Sequence, residues 1–421
     1  MTAVAEPVRD VAPDSSETFQ TKNILTIVSG HFVHDMYPAF IPALLPVILE
    51  KLAIPLGLAG TLQLAMSIPS LFSVLVGWLS DRFSVRYLVI FMPAVTGTLV
   101  TLSGQMQTYG ALVALLFVTG LSVAAFHAPA PAMIARISGR ELGKGMGFFM
   151  ASGELGRSIG PLLVAFALAE WGVEGIWRVA VFGWLASGIL YWRLRDIPSR
   201  SRRTMDLRSV LPHMRRVFIP LLGVMIMRGM LVSSLSFYMV YYLNVDVGFA
   251  LADAALMLAL FELAGVGGAL AGGMLSDRYG RRSTVFIATV LGAALLVVFM
   301  LVVKTRVELV PIALVPLGFV SLSITPVLQA IVQDQFPDNR ATASGLFILY
   351  AFLTRSVNAL VLGMVGDRFG LDAAFTIAIV ASLIALPLIR RLPARPDDSG
   401  GANKGTPLGS LAELTRFLKR D

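Results

Sequence analysis

The segment Gly77-Trp-Leu-Ser-Asp81-Arg82 recurs as Gly273-Met-Leu-Ser-Asp277-Arg278, 196 residues further on, and each copy closes a long apolar stretch and precedes a basic cluster. An apolar run ended by charges reads as a helix that crosses a bilayer and turns at its surface. The same turn at equivalent places in two stretches of chain implies two homologous halves. Parallel repeats of this kind place a shared cavity between them, near the bilayer midplane. Composition leaves little alternative: 56% of the 421 residues are apolar and 14% are charged, more apolar surface than a soluble domain can hide.

Runs of about 20 apolar residues, the length a spanning helix needs, fall at 23–49, 58–79, 86–106, 109–134, 143–169, 174–192, 217–243, 253–275, 283–303, 308–332, 341–365 and 371–391. Twelve is even, so both termini share one side. Connections on that side carry 17 Lys or Arg against about five on the other, which by the positive-inside rule makes the termini cytoplasmic and the protein a multi-pass resident of the inner (plasma) membrane. The expected organisation is an all-α membrane protein of two six-helix bundles. A disordered cytoplasmic N-terminus (1–22) precedes the first bundle (23–192), a basic cytoplasmic linker (193–216) joins it to the second (217–391), and a cytoplasmic tail (392–421) follows. Eight arginines in the linker make anionic membrane lipids its natural neighbours. Ser410-Leu-Ala-Glu413 in the tail has the pattern of a capping box, opening a short helix that docks on the membrane surface or frays. The repeat extends beyond the turn, since a shift of 198 aligns Gly156-Arg157-Ser158 with Thr354-Arg355-Ser356.

Several function classes drop out. The net charge of +8 is what cytoplasmic loops of a membrane protein carry, and it calls for no nucleic acid. With no cysteine and four histidines, neither a metal nor another cofactor is expected. There is no His-Glu-x-x-His and no lysine-bearing phosphate loop, so an enzyme is not expected. A receptor or scaffold would need a soluble domain, and the longest soluble pieces are the 24-residue linker and the 30-residue tail. Transport of a small molecule remains; the expectation is a monomer that draws on the proton gradient.

Ionisable side chains at hydrocarbon depth are costly unless they face a cavity or a partner, so each one is a functional candidate. His31, His34 and Asp35 project from one side of the first helix, because offsets of three and four lie within a narrow arc. With His127 and Glu154 they form the proton-coupling candidates, since imidazole exchanges protons near neutral pH; a purely structural hydrogen bond between Asp35 and His31 is the competing reading. Arg157 and Arg355 occupy equivalent repeat positions and bring two guanidiniums toward one cavity. With Arg228, Glu262, Asn358 and Tyr238 they form the substrate-binding candidates. Guanidinium grips carboxylate or phosphate through paired donors, which favours an anionic or amphiphilic cargo. Alternatively, Glu154 neutralises Arg157, and Glu262 neutralises Arg355 or Arg228. Gly156 and Gly160 let a neighbouring helix approach, and Pro161, Pro129 and Pro131 disturb their helices. Asp81, Arg82, Asp277, Arg278 and Arg281 sit at surface turns and are expected to latch helix ends in one conformation.

At these residues the chain resembles the major facilitator superfamily over essentially its whole length. Gly273-Met-Leu-Ser-Asp277-Arg278-Tyr-Gly280-Arg281-Arg282 is close to complete for that superfamily's loop motif, while the N-terminal copy has Ser84 where a second glycine is usual. Gly147, Gly156 and Gly160-Pro161 follow the spacing of its antiporter motif, with Val164-Ala165 in place of the closing glycine pair. His31-Phe-Val-His-Asp35, Pro42-Ala-Leu-Leu-Pro46 and Ala124-Ala-Phe-His127 are similar to the fosmidomycin-resistance group of efflux proteins, with Ala128 between histidine and proline. The resemblance implies two six-helix repeats that rock about a central site, helix-packing roles for Gly147, Gly156, Gly160 and Pro161, and proton-coupled export. Import of an organic anion, or translocation of a lipid, is open to the same scaffold.

Overall fold

The computed structural model describes residues 18–72, 86–139, 142–195, 207–336 and 340–393. The first half contains α1 (Thr21–Met36), α2 (Phe40–Leu52), α3 (Ala59–Ser67), α4 (Arg86–Leu102), α5 (Tyr109–His127), α6 (Ala130–Ile137), α7 (Leu142–Gly175) and α8 (Ala180–Leu194). The second contains α9 (Leu207–Tyr241), α10 (Leu251–Tyr279), α11 (Arg281–Thr305), α12 (Val310–Leu322), α13 (Ile324–Gln335), α14 (Arg340–Phe369) and α15 (Leu371–Ile389).

Ten described stretches are long and apolar enough to cross a membrane, and a shorter apolar helix spans Leu56–Phe72. One of the ten, Gly145–Leu194, is 50 residues long and holds two spans. They divide at Gly172, whose φ of +67° is a left-handed conformation that suits glycine. The fold is therefore all-α with twelve spans. Asp81, Arg82 and the tail motif at 410–418 lie outside the described residues. One boundary differs from expectation: α9 starts at Leu207, so part of the linker predicted at 193–216 is helical. A helix satisfies its own backbone hydrogen bonds and can continue past the bilayer into the headgroup region.

Three spans are broken near their middles, each beside proline. Pro38 has no N–H to offer the carbonyl of His34, and the chain re-enters helix at Phe40. Pro129 and Pro131 part α5 from α6 directly after His127. Ser323, with Pro326 beyond it, parts α12 from α13 at the corresponding place in the second half. The two breaks in the first half therefore come immediately after the segments that carry its membrane-embedded histidines. Irregular backbone at membrane depth is tolerated where protein or a cavity surrounds it.

The two halves meet closely at the end of the bundle opposite the termini. Phe40, Leu44 and Leu62 of the first half and Leu235, Tyr238 and Leu362 of the second belong to one buried apolar cluster. Gly60 on α3 lies against the backbone of α14, where an added Cβ would stand 2.3 Å from the Leu360 Cα. Overpacking of this kind costs about 1–3 kcal/mol, or roughly five- to 150-fold in an equilibrium. Gly60→Ala is expected to open this closure. In the naturally Cys-free chain, a single cysteine placed at buried Ser356 should then label faster by a factor in that range. Equal labelling rates would mean that the closure is held elsewhere.

Candidate functional site

The site is built on α1, where His31 and Asp35 are one helical turn apart and His34 adjoins them. Three glycines bring α7 against this face. A Cβ at Gly156 would lie 2.3 Å from the Phe32 carbonyl oxygen, one at Gly160 2.3 Å from that of Met36, and one at Gly153 2.6 Å from His31 Cε1. The close approach lets Arg157 donate from Nη1 to Asp35 Oδ2 at 3.0 Å. Its Nη2 pairs with Glu154 Oε1. A Cβ at Gly147 would meet nothing within 4 Å, so no close approach of this kind is made there, and α7 continues through Pro161 as helix.

α5 supplies His127 from the other side. Its Nε2 lies 3.3 Å from Asp35 Oδ1 and 3.3 Å from His31 Nε2. His31 Nε2 is in turn 3.3 Å from Asp35 Oδ2. The remaining nitrogen of each of these two rings faces a backbone carbonyl: His31 Nδ1 that of Phe149 at 2.8 Å, His127 Nδ1 that of Val123 at 3.0 Å. A carbonyl only accepts, so both Nδ1 atoms carry hydrogen, a tautomer assignment that follows from the hydrogen-bond network. In the neutral rings both Nε2 atoms are then bare acceptors, and both point at a carboxylate. A proton on one ring turns that ring's acceptor-to-acceptor approaches into hydrogen bonds. It also balances charge, since Asp35, Glu154 and Arg157 together carry a net charge of one minus.

His31, Asp35 and His127 offer three ligand atoms within 4.8 Å of one another, the donor types of a metal site. Arg157 already donates to Asp35, so an added metal cation would share its carboxylate with a guanidinium and be repelled by it. The arrangement suits a proton. Access is graded: the side chains of Arg157 and His127 are 28% and 21% exposed, that of Asp35 only 6%, and that of His34 not at all. Phe352 of α14 approaches His127 edge-on at 6.4 Å, which places this histidine at the boundary between the halves.

The second half divides the substrate candidates. Arg355 on α14 is exposed and makes no hydrogen bond or ion pair among the described residues. It shares its electrostatic surroundings with Arg157, Glu262 and Glu154. Glu262 on α10 is buried and accepts a 2.7 Å hydrogen bond from Ser236. Arg228, Asn358 and Tyr238 are buried in helix packing: Arg228 donates to the Ser321 carbonyl, Asn358 to that of Ile226 and Tyr238 to that of Ala359. These three tie helices of the second half together.

At the turn between α10 and α11, Arg281 contacts Asp277 at 2.9 Å and Asp334 of α13 at 3.2 Å. This ties the turn to the tenth span. Arg278 covers the ring of Tyr279. Thr96 contacts His34 and Ser152 contacts His31, while Ser122 contacts Thr96; the sequence does not single these hydroxyls out, because hydroxyls in spanning helices commonly bond their own backbone and carry no distinguishing pattern.

The family profile of the Major Facilitator Superfamily matches residues 27–305 and 221–421. The fosmidomycin resistance protein of Escherichia coli is 23% identical over 396 residues, covering 92% of this chain and 97% of that one. A probable sulfoacetate transporter of Cupriavidus necator is 27% identical over 259 residues, covering 56% and 60%. Among solved structures, a bacterial homologue of the human lysosomal transporter Spinster, inward-facing and unoccupied, superposes with a TM-score of 0.73 at 13% identity, covering 90% of this chain and 98% of its own. A D-xylose-proton symporter superposes with a TM-score of 0.70 at 15% identity, covering 90% and 99%. With twelve spans, two homologous halves and a family match along nearly its whole length, the chain belongs to the major facilitator superfamily and is a multi-pass membrane transporter, not an enzyme.

Proposed function

We propose that this protein is a proton-coupled exporter of small organic anions or amphiphiles, working as a monomer in the inner membrane with both termini cytoplasmic and a basic linker against anionic lipid. The observation that carries the reading is the convergence of two bare imidazole Nε2 atoms on Asp35, an arrangement that lacks one hydrogen until a proton enters. Arg355 supports the anionic cargo, because its guanidinium is exposed with no hydrogen bond or ion pair among the described residues. Export is supported by the relative named for fosmidomycin resistance. No other cofactor is required, since the membrane potential alone contributes about 2.3 kcal/mol per charge per 100 mV.

Cotransport of anion and proton is the second reading, and one observation favours it. A proton added beside Asp35 makes the cavity more positive and strengthens anion binding at Arg355, whereas exchange needs proton and cargo to exclude one another. Fosmidomycin and sulfoacetate, the compounds named for two relatives, are the first cargos to assay in proteoliposomes. Tighter binding at about pH 8 than at about pH 6, the interval in which histidine titrates, identifies exchange; the reverse identifies cotransport. Flux indifferent to an imposed pH gradient, or a stoichiometric metal in the purified protein, would overturn proton coupling.

A further inference from the structure

We infer that His34 holds the transported proton out of reach of the cavity, and that the hydroxyls of Thr96 and Ser122 are positioning residues that aim its bare nitrogen at Asp35. The inference rests on the proton-coupled reading and assigns a place to the proton within it. Ser122 Oγ lies 2.7 Å from the Thr119 carbonyl oxygen, which only accepts, so Ser122 donates there. Thr96 Oγ1, 2.8 Å from Ser122 Oγ, must then donate to Ser122. His34 Nε2, 3.1 Å from Thr96 Oγ1, must in turn donate to Thr96. Each hydroxyl has one hydrogen to give, so the direction of the whole chain follows from the carbonyl at its end.

This leaves His34 Nδ1 without hydrogen in the neutral ring, 3.0 Å from Asp35 Oδ1. The same carboxylate oxygen is 3.3 Å from His127 Nε2. A proton taken from cavity water by partly exposed His127 can therefore pass through Asp35 Oδ1 to His34 Nδ1, with His127 and Asp35 left as they began and His34 as imidazolium. Nothing else is consumed. His34 and Thr96 are fully buried and Ser122 nearly so, and Phe126 stacks on His34 at 4.2 Å, where a ring face favours a cation. The titratable and charged groups around His34 are Asp35 and His31 on its own helix and His127 on α5, with Arg157 of α7 on the far oxygen of Asp35. From α4 it meets the neutral hydroxyl of Thr96. The site is thus enclosed by protein, and among the described residues Asp35 joins it to partly exposed His127.

The test compares Thr96→Val, Thr96→Ser and Ser122→Ala in proteoliposomes loaded with fosmidomycin or sulfoacetate, whichever the parent transports. Valine keeps the shape but cannot accept from Nε2, so His34 is expected to turn its hydrogen toward Asp35 and lose its proton-accepting role. Proton-driven accumulation should fall about tenfold and its pH midpoint should move toward acid by about one unit, while cargo counterflow without a gradient stays within about twofold. Thr96→Ser should restore the parental profile, and Ser122→Ala should give a smaller shift in the same direction. An unchanged pH midpoint in Thr96→Val overturns the inference; if that variant does not fold, an unchanged midpoint in Ser122→Ala does so. A parent without proton-driven flux would instead overturn the proton-coupled reading itself.

Discussion

Asp35→Asn is expected to abolish transport driven by a proton gradient while leaving a folded, membrane-inserted protein. Asparagine matches aspartate in size, and its amide can donate to a bare histidine nitrogen that otherwise waits for a proton. The cluster then satisfies itself without taking one up. The variant also loses the charge that Arg157 and a protonated histidine share, and a hydrogen bond to a charged group is worth about 1.5–3 kcal/mol, or roughly ten- to 150-fold. Proton-driven accumulation should fall by at least that factor, whereas counterflow of cargo, which needs no net proton movement, should persist. Accumulation at the parental rate would place the proton site elsewhere, with Glu262, the buried carboxylate of the second half, as the next group to replace.

Arg355→Lys is expected to weaken anion binding by a similar roughly ten- to 150-fold, because an ammonium keeps the charge but cannot form both arms of a bidentate grip. Binding of a neutral analogue should change little. Arg157→Lys should behave differently, since Arg157 is already engaged by Asp35 and Glu154; coupling should suffer more than affinity. The double replacement Glu154→Gln with Arg157→Gln separates the roles further. If Arg157 served only to balance Glu154, removing both charges would restore function. Because Asp35 is a third partner, rescue is expected to be incomplete. Calorimetric titration of each variant with the transported anion checks both statements, and equal losses for Arg157→Lys and Arg355→Lys would remove the distinction between them.

Much of this architecture is determined by local features of the chain. Twelve apolar runs, a turn motif repeated after 196 residues and prolines beside His34 and His127 specify spans, halves and breaks, because a bilayer forces each span to satisfy its backbone internally. The i to i+4 spacing of His31 and Asp35 likewise places them on one face before any tertiary contact forms. What the tertiary structure alone decided was partnership. Arg157 and Arg355 look equivalent in the repeat, yet the glycines of α7 let Arg157 reach Asp35, and Arg355 is left exposed. Arg228, Asn358 and Tyr238 read as cavity groups in sequence, and the structure shows each donating to a carbonyl of a neighbouring helix. Above all, which nitrogen of each histidine is bare depends on carbonyls 118 residues from His31 and four residues from His127, and on a hydroxyl 62 residues from His34. Partnership at Asp35 is largely a property of how the helices pack, since the carbonyl facing His31 and the hydroxyl facing His34 come within hydrogen-bond distance only when other helices bring them there, whereas His127 is set by a carbonyl one turn back on its own helix.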